Sequence, residues 1–259
     1  MGESGCGFSF SVSMTTFPAR IGSVWITIMS LLNQTIQPEA IYLWLSKEEF
    51  PKGLEGLPDE LKILEEKTIL KIIFVEQNYR SFKKFVHMLQ FFPDKDFVTV
   101  DDDVHYPPNT LETLWAMHKS YPNDVICRSA VEITDICKAP NEWHGSLQKK
   151  LIHQDYVRII GVGGVFYPSK SLYKDSDNMK LASELCPWAD DLWLTMMCIL
   201  NGTKFTKEFT HCNPLTVKGT QTVSLSSASN KLDFAKEVTN EEQWANLLKY
   251  YMNELGIKL

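Results

Sequence analysis

The order of its apolar runs constrains this chain more than any other feature. Over about the first 120 residues, near-continuous apolar segments alternate with segments of helical periodicity. FSFSVSMTTF alternates polar and apolar residues and reads as a first strand ending near Thr15 and Thr16. PARIGSVWITIMSLLNQT follows, with Ile21, Val24, Trp25, Ile28, Leu31 and Leu32 at helical spacing. AIYLWLS reads as a second strand, and the proline- and glycine-punctuated FPKGLEGLPDELKILEE leads into a third, TILKIIFVEQ. SFKKFVHMLQFF reads as a helix stopped by Pro93, DFVTVDDD as a fourth strand, and PPNTLETLWAMHKSY as a helix with its prolines at the start. The order β-α-β-β-α-β-α with apolar strands predicts an α/β fold, a mostly parallel sheet covered on both faces. Such sheets bind ligands beyond the carboxyl ends of their strands.

After Tyr121 the pattern loosens. DVICRSAVEI and YVRIIGVGGVFYP look like strands, separated by a polar loop carrying Trp143 and His144. CPWADDLWLTMMCILNG predicts a helix entered after Pro187 and ended at Gly202. TKFTKEFTHCNPL reads as a short strand and turn, a Ser/Thr/Asn/Gln-rich stretch runs from about Val217 to Asn240, and EEQWANLLKYYMNEL closes as an amphipathic helix. No repeat of solenoid period occurs. The 259 residues suit a single domain, with about 8–120 as one half and about 121–259 as the other.

A net charge of -6 supplies no basic stripe for phosphate backbones, so nucleic acid is not an expected partner. The six cysteines form no CxxC, which argues against a zinc ribbon or a disulfide framework. With no secretory apolar region at the N-terminus, reduced thiols in a cytoplasm are the simpler expectation. The longest apolar stretch, VWITIMSLL, is too short to span a bilayer.

Four constellations and one histidine are candidates for chemistry. Asp101, Asp102 and Asp103 follow the fourth strand. Adjacent carboxylates repel, so they either stand in water or take a cation. Hard divalent ions such as Mn²⁺ or Mg²⁺ suit such oxygens and keep positions open for substrate phosphates. Asp103 is the expected ligand, while Asp101 joins it or holds a ribose hydroxyl or an amide. Asp190 and Asp191 stand at a helix start, where they either answer the helix dipole or supply a general base shielded by Trp188 and Trp193. The Gly161-Val-Gly163-Gly164 run allows close approach of a ligand or marks a β-bulge. Arg80, Lys83 and Lys84 form a local positive cluster that faces a phosphate or ribose, or is a solvated helix start. His211, just beyond a late strand, is either structural or a metal ligand beside Asp103.

Together these pieces resemble the nucleotide-sugar-dependent glycosyltransferases of the GT-A fold. SMTTFPARIGSVWITIMSLLNQTIQPEAIYLWLS resembles their opening β-α-β, TVDDDVHYP their Asp-x-Asp metal motif, and WADDLWL their later acidic motif heading a helix. GVGGVFYP and TQTVSL are similar to small bacterial enzymes of capsular and lipopolysaccharide synthesis. The resemblance implies a Rossmann-like, mostly parallel central sheet with a smaller antiparallel, acceptor-side region. It implies a nucleotide-sugar donor, UDP-sugar favoured, and a glycan or lipid-linked glycan acceptor. Thr15, Thr16 and Arg20 would lie near the base and phosphates, with Arg80, Lys84, Asp102, Gly163, Gly164 and Trp188 also on the donor. Asp101 and Asp103 would straddle the ribose and the metal, and His211 would complete the metal site. Asp191, with Asp190 beside it, would deprotonate the acceptor hydroxyl in an inverting reaction. A triple Asp also occurs in some retaining relatives, so both stereochemical outcomes stand. The implied location is cytoplasmic, at the inner face of the membrane if the acceptor is lipid-linked.

Two other classes compete. A phosphohydrolase or nucleotidyltransferase would also use strand-end aspartates, although an aspartyl-phosphate enzyme would want them on the first strand. A non-catalytic sugar-binding protein would use Trp143, Trp188 and Trp193 as stacking platforms and leave the acids idle.

Overall fold

The computed structural model describes residues 8–143, 145–207, 215–220 and 238–254. The first half contains β1 (Phe10–Thr15), α1 (Val24–Leu32), β2 (Ile41–Ser46), α2 (Asp59–Lys67), β3 (Leu70–Val75), α3 (Lys83–Phe91), β4 (Asp96–Thr99), β5 (Val104–His105) and α4 (Thr110–Ser120). The second half contains β6 (Val125–Cys127), β7 (Ala130–Glu132), β8 (Leu151–Gln154), β9 (Val157–Ile159), β10 (Val165–Tyr167), α5 (Met179–Leu185), α6 (Asp190–Leu200), β11 (Phe205–Lys207), β12 (Leu215–Thr216) and α7 (Asn240–Leu248).

Eight strands form the central sheet in the order β3-β2-β1-β4-β10-β6-β11-β8. The β3-β2-β1-β4 half is parallel throughout, and β10 enters antiparallel between β4 and β6. Two small antiparallel pairs, β12-β5 and β7-β9, stand apart from it. The expected mostly parallel sheet with a smaller antiparallel region is therefore present.

Strand alternation sorts the core into two layers. Phe10, Val12, Met14, Val98, Ile126 and Phe166 join α1, α2 and α4 on one face. Phe97, Val125, Cys127, Val165 and Tyr167 join α3, α6 and α7 on the other. Because both faces are covered, the polar residues of β1 need internal partners. The Ser13 hydroxyl donates to the Lys84 carbonyl and accepts the Trp44 indole N–H at 2.9 Å, which seats α3 on β1 and β2.

Several elements differ from the sequence reading: β8 lies in the stretch read as a polar loop, and α5 was not expected. The punctuated segment before the third strand contains α2, a helix that buries only Leu61 and so carries little apolar periodicity. Pro58 precedes it, where a missing N–H costs nothing. The stretches read as single strands after Tyr121 are each broken in two. DVICRSAVEI leaves the central sheet at Cys127 and resumes as β7 in a separate pair. YVRIIGVGGVFYP is interrupted by a 3-10 turn at Gly161–Gly163, and Gly164 follows with φ +88°, a left-handed conformation costly for any side chain. That break carries the chain from β9 back into the central sheet as β10.

Candidate active site

The site lies beyond the carboxyl ends of β1 and β4, closed on its far side by the start of α6. Asp102, the middle aspartate, points inward and is 6% exposed. Its carboxylate accepts from the Thr16 hydroxyl at 2.5 Å and from Arg20 Nη1 at 2.6 Å, and its carbonyl accepts from the Thr27 hydroxyl at 2.9 Å. Burial pushes its pKa up, against the opposing pull of Arg20 and Thr16. Thr16, Arg20 and Asp102 thus clamp the connection after β1 to the loop after β4. Arg20 also places Nη2 3.0 Å from Asp103 Oδ2, so one guanidinium holds two consecutive carboxylates. The Asp103 carbonyl accepts the Val217 N–H at 2.8 Å, which brings the segment around β12 across the acidic loop.

Asp101 faces the other way. Its backbone N–H donates to Tyr106 Oη at 2.9 Å, and its carboxylate lies 3.1 Å from Lys84 Nζ. Lys84 Nζ is also 2.8 Å from Asp190 Oδ2, a close ion pair poorly aligned as a hydrogen bond. Burial alone would lower the Lys84 pKa, but Asp101, Asp190 and Asp191 outweigh it and push it well above the ordinary lysine value. Lys84 is therefore a permanent cation between the two acidic motifs. Lys83, beside it, is equally buried and pairs with Glu49 at 2.8 Å.

Neither acid of α6 caps its own helix, whose N-cap is Ala189 with no side-chain bond. Asp191 Oδ2 accepts the Gly161 N–H at 3.1 Å, and solvent reaches the residue in part. Crowding removes most of its hydration, Asp190 and Asp101 repel its charge, and its pKa rises to about 7 despite Lys84 and the Gly161 N–H. A Cβ on Gly161 would lie 3.0 Å from Asp191 Oδ1, 3.5 Å from Lys84 Nζ and 3.8 Å from Asp101 Oδ1, so these three groups converge on that glycine. Gly163 makes room in the same way for Arg128, whose Cβ would stand 2.8 Å from an added methyl.

The remaining candidates sit at the rim or outside the described residues. Arg80, exposed and left-handed at φ +51°, lays its guanidinium 3.9 Å from the Trp188 ring centroid. The N–H groups of Trp188 and Ala189 donate to the side-chain carbonyl of Gln243 in α7, at 2.9 and 3.1 Å, which sets the start of α6. Thr15 donates to the Trp44 carbonyl at 2.7 Å. Gly164 supplies the left-handed step after the turn. His211 and most of TQTVSL lie outside the described residues. Trp193 is fully buried and Trp143 packs edge-on against Trp244, so neither offers a face to a sugar.

Sequence reasoning named Gly161 only as part of the glycine run, and it passed over Tyr106 and Gln243. Gly161 stood in the same glycine run as Gly163 and Gly164. Tyr106 and Gln243 had no signal, since each acts through a partner fixed only by folding.

The carboxylates Asp101, Asp102, Asp103, Asp190 and Asp191 gather against Arg20 and Lys84, leaving negative charge in excess. Among the described residues no group of three His, Cys, Asp or Glu side chains is placed to hold a metal by itself. An oxygen-only set of one or two carboxylates still fits Mg²⁺ or Mn²⁺, which complete their shells with water and substrate phosphate. Asp101, with its side chain 30% exposed, and Asp103 at the strand end are the residues that fit.

No protein-family model matches the chain, and no curated protein does. Solved structures do match. Residues 1–349 of TarS from S. aureus align over 97% of this chain and 75% of that one, with a TM-score of 0.50 and 14% identity. The same fragment in complex with UDP gives a TM-score of 0.52 and 16% identity over 97% of this chain and 76% of that one. The mannosyltransferase PcManGT from Pyrobaculum calidifontis, in complex with GDP-Man and Mn²⁺, gives 0.50 and 11% identity over 81% of this chain and 56% of that one.

Proposed function

The chain has the GT-A glycosyltransferase fold, and on that premise we propose that it is a metal-dependent glycosyltransferase. It moves a sugar from a nucleotide diphosphate-sugar, UDP-sugar favoured, to a hydroxyl of a glycan or glycolipid, with inversion. The observation that carries this reading is Asp191, a partly solvent-reached carboxylate with its pKa near 7, which converges with Lys84 and Asp101 on Gly161. A base poised near the working pH is what deprotonation of an acceptor hydroxyl requires.

The residues divide the reaction between them. Asp191 takes the acceptor proton as the acceptor oxygen bonds to the anomeric carbon and the bond to the diphosphate oxygen breaks. The Gly161 N–H orients that carboxylate, and Lys84 pairs with Asp101 and Asp190 while its charge limits the rise of the Asp191 pKa. Asp102, Thr16 and Arg20 hold the acidic loop in place, so that Asp101 and Asp103 present oxygen to the donor side. A divalent ion held by Asp103 and Asp101 would neutralise the departing diphosphate as a Lewis acid. His211 is proposed as a further ligand. Arg80, Trp188, Gly163 and Gly164 line the donor pocket, with Thr15 near the base.

The half up to about residue 120 supplies the nucleotide-binding side, and the remainder supplies the acceptor side together with the donor contacts of Gly163, Gly164, Trp188 and His211. Among the described residues no helix is long and apolar enough to cross a membrane. A lipid-linked acceptor would place the protein at the inner membrane face.

The test is the melting temperature with UDP, GDP and ADP, each with and without Mn²⁺. At ligand near 100 Kd the stabilisation is about 2.7 kcal/mol, or roughly 5–10 °C for a chain of this size. A rise with one nucleotide that needs Mn²⁺, and is lost in Asp103→Asn, supports the reading. No rise with any nucleotide returns the aspartates to a structural role.

A further inference from the structure

Four lysine and arginine side chains are buried among the described residues: Arg20, Lys83, Lys84 and Lys207. The first three each face a carboxylate. Lys207 does not. It is 1% exposed, and its Nζ donates to the Leu147 carbonyl at 2.5 Å. An ammonium carries three donors, and a neutral carbonyl leaves its charge unbalanced. Burial pulls its pKa below the ordinary lysine value, opposed by the Cys127 thiol, which burial itself keeps neutral. A buried cation without a counter-charge is costly to keep unless an anion arrives.

Its position says where that anion would sit. β11 runs parallel to β6, with Phe205 opposite Val125 and Thr206 opposite Ile126. Continuing the register puts Lys207 beside Cys127, at the carboxyl end of the strand. Phe205 and Cys127 belong to the core layer under α6, and Lys207, two residues after Phe205, shares that face. Asp191 and Lys207 both act on the Cys127 thiol, so the proposed base and the lysine lie within electrostatic reach of the same buried group.

The surroundings are built rather than loose. Phe205 pairs with Gln154 but Lys207 with Leu151, so β8 carries an extra residue opposite β11. His153 lies in that bulge at φ +54°, its N–H on the Thr206 hydroxyl at 2.9 Å and its ring on the Asp124 carboxylate at 3.0 Å. The loop carrying Leu147 is fixed at Gly145, where a Cβ would stand 2.5 Å from Val131 Cγ1, and by the Lys149–Glu132 ion pair. Lys150, exposed and next to Leu151, adds positive charge to this corner of an acidic chain.

We propose that Lys207 is an oxyanion-binding residue of the acceptor subsite, taking a phosphate or carboxylate group of an acidic acceptor and turning its hydroxyl towards Asp191. That the anion belongs to an acceptor rests on the glycosyltransferase reading. That Lys207 binds an oxyanion does not.

The full chain is melted in inorganic phosphate and in D-glucuronate, against sodium chloride at equal ionic strength and neutral D-glucose. Lys207→Gln keeps an N–H for the Leu147 carbonyl and removes the charge, whereas Lys207→Arg keeps the charge. The expected result is a rise with one or both oxyanions in the wild type and in Lys207→Arg, absent in Lys207→Gln and absent with glucose. The oxyanion giving the larger rise names the acidic group. A rise that persists in Lys207→Gln, or no rise in the wild type with either oxyanion, overturns the proposal. A second readout, independent of whether Lys207→Gln folds, is the ¹³Cε resonance of Lys207 in lysine-labelled wild type, assigned through Lys207→Arg. The oxyanion should raise the pKa read from that signal, and a pKa that does not move at saturation overturns the proposal equally. The nucleotide and Mn²⁺ experiment reads the donor site separately, so failure of the glycosyltransferase reading and failure of anion binding remain distinct.

Discussion

Lys84 Nζ stands 2.8 Å from Asp190 Oδ2, and that contact joins α3 to the start of α6. The same ammonium reaches Asp101 at 3.1 Å, so one lysine holds together acids from two distant parts of the chain.

Removing that cation leaves carboxylates facing each other. Lys84→Met should lower unfolding free energy by about 3–5 kcal/mol, the usual cost of stripping one partner from a buried pair. The loss should grow with pH as the stranded acids ionise. Urea denaturation at several pH values reads both. A variant as stable as the parent would mean that solvent or a counter-ion already screens the cluster.

Asp191→Asn keeps the shape of the side chain and its contact with Gly161 but cannot accept a proton. Donor binding, read by nucleotide-dependent melting, should be unchanged, while kcat for transfer falls roughly 10²–10⁴-fold. Equal loss of binding and transfer would remove Asp191 from the role of base.

The pH dependence follows from the raised pKa of Asp191. Transfer at limiting substrate should rise with pH along an acid limb near 7, as the carboxylate forms. Stability should move the opposite way. A carboxyl group raised from 3.8 to about 7 on folding stabilises the folded state most when protonated in both states. That contribution is fully present below its unfolded value and is lost as pH rises through about 7. Asp191→Asn never ionises, so its stability relative to the parent should climb between about pH 3.8 and 7 and level off above that. Parallel stability curves between those two values would show that the site does not perturb Asp191.

The glycine turn gives a structural control. Gly163→Ala would put a methyl 2.8 Å from Arg128 Cβ, an atom anchored to the backbone that cannot swing away. Destabilisation of about 1–3 kcal/mol is expected from such overpacking. Gly161→Ala, at 3.0 Å from Asp191 Oδ1, should instead act on turnover, by crowding the base. If both variants lost stability and neither lost activity selectively, Gly161 would have no special place at the site.

The fold's parallel half was legible because its signals are local. Runs such as AIYLWLS declare strands buried on both faces, and the spacing of Val24, Ile28 and Leu31 declares the helix that covers them. The acidic motifs at Asp101–Asp103 and Asp190–Asp191 were equally visible, since composition and position at element ends suffice to mark them. Their division of labour was not. Asp102 turns inward to Thr16 and Arg20 while Asp101 turns to Lys84, and nothing in three identical residues distinguishes them before the loop is folded.

Lys84 and Lys207 make the same point. By sequence Lys84 belonged to a basic cluster that either faced a phosphate or ribose or was a solvated helix start, and Lys207 sat in a short strand with no role assigned. The structure buries both, one among acids and one against a lone carbonyl. The sequence by itself determined the strands of the parallel half and the helices with a strong apolar stripe, because those depend on periodicity within a dozen residues. Only the tertiary structure decided which charges meet, because the energy of a charge depends on the groups and the water around it, and those come from residues far away along the chain.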